Sequence, residues 1–147
     1  MLLLTTLAAL LATTTASPVD LSKRLNSCGI SSFAVDTSSP AAASDCQFIV
    51  NVLSQGAFPS FGWDLGNAWN EVLVYETCSF QARSIRGNRA TIGNEDVYDL
   101  LRDTLRDSNR GGNVGARGAM QCNGVDVEWR VVKGGGDGGA TIGFGKA

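Results

Sequence analysis

Four cysteines, Cys28, Cys46, Cys78 and Cys122, constrain this chain more than any other feature of its sequence. Their spacing contains no C-x-x-C pair, and the chain has no histidine. A zinc site would therefore need four scattered thiolates without the close ligand pairs such sites use, so no metal is expected. In an oxidising compartment an even number of cysteines predicts disulfides instead, here two. Each bridge stabilises a small domain by about 2–4 kcal/mol, out of a total of roughly 5–15 kcal/mol. Spacing alone leaves all three pairings open.

The N-terminus supplies the compartment. Residues 1–16 open with the apolar run MLLLTTLAALL, about as long as a signal-peptide core and well short of the ~20 residues that cross a bilayer. Small residues at Thr14 and Ala16 suit cleavage after Ala16. The competing reading, a buried N-terminal helix, fits poorly with the threonine cluster and the abrupt turn to polar sequence. Lys23-Arg24 is either a dibasic processing site that ends a pro-segment over 17–24, or an ordinary exposed pair. Residues 25–133 are then expected to form the domain, with the glycine-rich 134–147 (GGGDGGATIGFGKA) as a flexible tail. A phosphate-cradling role for that tail would need a helix after the glycines, and none follows. No later apolar stretch is long enough to anchor the chain in a membrane. The expectation is a secreted, extracellular protein.

At 147 residues and 44 % hydrophobic composition, the chain can build one modest core. Ser39-Pro40 reads as a helix start, and Ala42, Cys46, Ile49, Val50 and Leu53 then share one helical face, closed by Gly56. A second helix is expected from an Asn94 cap to Gly111-Gly112. Glu95 and Asp96 lie at its positive end, and Val97, Leu100, Leu101 and Leu105 form its stripe. Its other side is a solvated charged face with Asp99–Arg102 and Asp103–Arg106 pairs. Strand-like runs cover 71–75, 79–84, 90–92, 114–121 and 125–132, the last two joined by Asn123-Gly124, a dipeptide suited to a tight hairpin. The fold class predicted is α+β, an antiparallel sheet of four to five strands with two helices on one face and two disulfides.

Without histidine, any mechanism that uses an imidazole base is excluded. Twelve basic against fourteen acidic residues, a net charge of −2, argue against a nucleic-acid partner. Carboxylate catalysis needs only two acids at a suitable separation. Asp64, Glu71, Asp126 and Glu128 are the candidates, with the last two on the polar face of one strand, where surface charge is the simpler account. No cofactor is implied. In the stretch GAFPSFGWDLGNAW, the rings of Phe58, Phe61, Trp63 and Trp69 could stack on sugars or enter a lipid surface, or pack onto the core.

Several ordered pieces resemble a known family. They are Cys28-Gly29 with Ser31-Ser32-Phe33; Ser44-Asp45-Cys46 with Ile49; Cys78 with Phe80; residues 93–101 (GNEDVYDLL); and residues 114–129 (VGARGAMQCNGVDVEW). Together they resemble the secreted effectors of fungal plant pathogens known as extracellular-protein-two homologues, described as necrosis-inducing factors. The resemblance runs from Cys28 to about Val132. It implies a secreted α+β protein deployed against another organism, an effector that promotes infection or provokes host cell death. The expected mode of action is binding to a cell-surface or apoplastic target of a host or competing microbe, with necrosis or an antifungal effect as the result. It also implies kinship in fold with killer toxins encoded by smut-fungus viruses. By that analogy the cysteines would pair as Cys28–Cys122 and Cys46–Cys78. The family supplies no catalytic residues, and the implied role is not enzymatic. A cell-wall polysaccharide-binding module that uses the Phe58–Trp69 loop, and a small carboxylate-dependent hydrolase, are the alternatives.

Overall fold

Period-two alternation in the last strand sets the architecture. A computed structural model describes residues 26–56, 62–86 and 88–134. The expected signal peptide and processing residues Ala16, Lys23 and Arg24, the tail beyond 134, and Phe58 and Phe61 lie outside the described residues. In chain order the elements are β1 (Ala34–Val35), β2 (Ala41–Ala42), α1 (Ala43–Ser54), β3 (Gly62–Leu65), β4 (Asn70–Tyr75) and β5 (Cys78–Ser84). There follow β6 (Ala90–Gly93), α2 (Asn94–Asp107), β7 (Asn113–Val114), β8 (Ala116–Cys122) and β9 (Val125–Lys133). Five strands pair antiparallel in the order β1-β8-β9-β5-β4, and two short ribbons, β2-β7 and β3-β6, stand apart. This is the α+β arrangement that the sequence predicts.

Asn123 and Gly124 link β8 to β9 with φ of 51° and 81°, the positive pair that a two-residue hairpin turn requires. That turn fixes the register. Val127, Trp129 and Val131 lie opposite Met120, Gly118 and Ala116 on one side and Ser84, Ala82 and Phe80 on the other. All nine share one face. Trp129 is wholly buried there, stacked 6.1 Å from the Phe80 ring, and its Nε1 donates to Ser31 Oγ at 2.6 Å. Position 118 must be glycine. A Cβ there would collide with the Ser32 carbonyl and lie 2.8 Å from the Trp129 Nε1.

The helices close this face. Cys46, Ile49, Val50 and Leu53 of α1 are buried, as are Val97, Leu100, Leu101 and Thr104 of α2. The Cys46–Cys78 disulfide bolts α1 to β5, and Cys28–Cys122 ties the N-terminal segment to the end of β8. That pairing is the one the resemblance implies. On the outer side of α2, Asp99–Arg102 and Asp103–Arg106 each close at 3.1 Å.

Three local expectations are corrected by long-range pairing. First, α1 begins at Ala43 rather than Ser39-Pro40, because Ala41–Ala42 is extended and paired with Val114–Asn113. One of its free N-terminal N–H groups is met from elsewhere, and its first-turn Asp45 ties it to Thr77. Ala43 N–H donates to the Gly112 carbonyl at 2.8 Å, and Asp45 accepts from the Thr77 hydroxyl at 2.6 Å. Second, α2 is capped at Gly93 rather than Asn94. The Asp96 carboxylate accepts from Gly93 N at 2.9 Å and also from Ser27 N and Cys28 N, which fastens the start of the domain to the helix. The helix ends at Asp107 with Ser108 as its C-cap, short of Gly111-Gly112. Third, the run 114–121 is broken at Gly115, where β7 leaves for its own ribbon and a Cβ would collide with the Asp36 carbonyl.

Candidate functional site

The residues that alternate with the core on β5, β8 and β9 form the opposite sheet face, and they are mostly polar, half of them charged. Register places Arg117 across from Arg130, and Arg130 across from Gln81, in one row; the next row sets Glu128 beside Arg83. Arg83 grips Glu128 through Nε at 2.7 Å and Nη2 at 2.6 Å. Arg130 Nε donates to Gln81 Oε1 at 2.8 Å. Trp69, one residue before β4, has the Arg130 and Arg83 guanidinium carbons 4.1 Å and 4.5 Å from its ring centroid. Attraction of each cation to the indole is worth about 0.5–1 kcal/mol at a partly exposed site.

These side chains border an open depression of about 470 Å³, closed along the sheet edge by Phe33 and Asp36. The edge is built by the segment after Cys28, which runs along β8 through Ser32 N to the Ala119 carbonyl (2.9 Å) and Asp36 N to the Gly115 carbonyl (2.9 Å). Hydrogen bonds from Ser38, assisted by the charges of Arg117 and Arg130, hold the Asp36 carboxyl below its ordinary range. Arg117 reaches Asp36 only at 3.8 Å. Two like charges directly across an antiparallel pair oppose folding, and Arg117 facing Arg130 is offset by their shared attraction to Asp36.

Of the aromatic residues singled out in the sequence, Trp69 belongs to this site. Trp63 does not, which corrects its assignment to a contact loop. It lies on β3 opposite Ile92, 5 % exposed, because the β3-β6 ribbon turns it into the core. The four candidate carboxylates are each engaged by a donor. Asp64 accepts from the Thr91 hydroxyl, Glu71 from the Ser79 hydroxyl, Asp126 from the Gln121 amide and Glu128 from Arg83. Asp126 and Glu128 do share the polar face, half-buried. Among the described residues, no three His, Cys, Asp or Glu side chains gather as a metal site would require. Sequence reasoning missed Arg83, Arg117, Arg130 and Asp36. Alternation within SFQARS and ARGAMQC puts the first two on the polar face, but only the strand register brings them to Arg130.

Fold and site together define a class: a small, doubly bridged α+β domain with one face packed and one left polar and open. Residues 27–122 match the family model Hce2, described as pathogen effector; putative necrosis-inducing factor, and the chain belongs to that family. No curated protein matches the chain significantly. Trp69, Arg83 and Arg117 fall inside the matched stretch, whereas Glu128 and Arg130 follow it. The family and the two disulfides point to an extracellular protein.

Proposed function

We propose that the chain is a secreted, non-enzymatic effector that acts by binding a molecule of a host or competing microbe through its open sheet face, with necrosis or growth arrest as the consequence. The observation that carries this reading is the cross-strand Arg117–Arg130 pair, with Arg130 stacked on Trp69, held on a sheet beside an open depression. Binding residues placed on strands keep their geometry without the entropy of ordering a loop. The hydrolase alternative has less support, since of the four candidate carboxylates only Glu128 lines the depression, and it is paired with Arg83. The wall-binding alternative keeps one supporting feature, Trp69, and loses Trp63.

The test is to apply mature, disulfide-intact protein to leaf tissue and to fungal cells, with reduced and alkylated protein as control. Death or arrest that needs the disulfides, and that is lost in Trp69→Ala, is the expected outcome. An equal effect from Trp69→Ala would remove the open face from the mechanism. No effect on either kind of cell would overturn the effector reading.

A further inference from the structure

We infer that the depression beside Trp69 is a carboxylate-binding site, with Arg130 and Arg117 as the receiving pair, and that the carboxylate belongs to an acidic saccharide. This rests on the binding reading above and names the ligand of the same face. The argument begins with charge. The depression is lined by Arg83, Arg117 and Arg130 against Asp36 and Glu128, a local excess of one positive charge in a chain of net charge −2. Arg83 and Glu128 satisfy each other. Arg130 is different: its Nε is used by Gln81, and among the described residues no carboxylate lies within ion-pair distance of it. Arg117, its side chain 70 % exposed, has only the 3.8 Å approach to Asp36.

A guanidinium whose outer nitrogens are unused presents a planar fork, which matches a carboxylate through two parallel hydrogen bonds. An anion seated between Arg117 and Arg130 would turn their cross-strand repulsion into shared attraction. Trp69 holds the Arg130 guanidinium in place before any ligand arrives, so little side-chain entropy remains to be lost on binding. A single excess charge suits a ligand with one carboxylate per unit. The shape selects a saccharide. The depression is broad and open, and the Phe33 ring on its rim, 37 % exposed, offers a flat apolar surface of the kind that packs on the face of a sugar ring.

The experiment uses the full mature chain with both bridges intact, titrated calorimetrically against soluble polygalacturonate, neutral glucan, dextran sulfate and poly-glutamate. Binding to polygalacturonate that exceeds binding to the other three, and that weakens as salt is raised, is the expected result. Arg130→Ala and Arg117→Ala should each weaken it by roughly tenfold to a hundredfold with unchanged circular dichroism. Arg130→Lys, which keeps the charge and loses the fork, should fall between. Asp36→Asn should strengthen binding, an effect no loss of structure can imitate. Equal affinity for dextran sulfate or poly-glutamate would overturn the saccharide assignment, and indifference to both arginine substitutions would overturn the site. Absent saccharide binding alongside a cell effect that still needs Trp69 would sink this inference and leave the effector reading standing. Saccharide binding with no effect on any cell would do the reverse.

Discussion

The same three strands, β5, β8 and β9, present two faces built on opposite terms. Toward the helices, Phe80, Ala82, Val127, Trp129 and Val131 are wholly buried, and the one polar atom of the Trp129 ring has its partner in Ser31. Toward solvent, Arg117, Arg130, Gln81, Arg83 and Glu128 stand in two rows, with the like-charged Arg117–Arg130 pair offset by Asp36 at the sheet edge. Each face carries a tryptophan beside a second group it orders: Trp129 with Phe80, and Trp69 with two arginines. One arrangement lowers the free energy of the fold. The other sets two like charges across from each other among ion pairs that are partly exposed, and gains only modest cation–π attraction, which is the pattern of a surface shaped for contact.

This contrast can be broken or sharpened by substitution. Trp129→Ala should cost about 3–5 kcal/mol in urea-induced unfolding through the cavity it leaves. If it costs no more than Trp69→Ala, the faces are not distinct in the way described. Removing the bridge behind the packed face with Cys46→Ala and Cys78→Ala should cost about 2–4 kcal/mol, read from the same unfolding curves. Gly118→Ala should cost about 1–3 kcal/mol by pushing on Trp129 and the Ser32 carbonyl, and tryptophan fluorescence should report the shift. On the open face, Trp69→Ala should cost only about 1–2 kcal/mol while abolishing the cell effect. Glu128→Gln should move stability by less than about 1 kcal/mol, since its pair with Arg83 is more than a third exposed. Smallest is the acid limb. Asp36 has a depressed pKa, so its contribution is present above the unfolded carboxylate range and fades as pH falls through the folded value. Asp36→Asn should therefore flatten the loss of thermal stability from about pH 5 downwards.

The packed face was the more legible in sequence. Alternation in VDVEWRVV and the Asn123-Gly124 turn identified a half-buried hairpin strand, and the helical stripes of α1 and α2 named most of the residues those helices bury, because these signals are local. What failed was decided at long range. Ala41–Ala42 has good helical character, yet pairing with Asn113–Val114 seventy or so residues away holds it extended. Trp63 and Trp69 stand six positions apart in one glycine-containing stretch, and only the β3-β6 ribbon sends the first inward. The arginine cluster depends on register across three strands, which no single segment encodes.

One consequence of the disulfide topology concerns survival among proteases. The Cys28–Cys122 bridge closes a ring over a sequence separation of 94, and α1, α2 and β1 through β8 all lie within it. A single cut in any loop inside that ring leaves both pieces covalently joined. Among the described residues, the link between strands that escapes this protection is the one from β8 to β9, where a cut would leave Arg130 and Trp129 on a fragment without a cysteine. That link is reduced to the two residues of the Asn123-Gly124 turn, pinned by Asn123 N–H to the Ser27 carbonyl at 3.0 Å. A protease needs several residues of extended chain to act, and a two-residue turn offers it none.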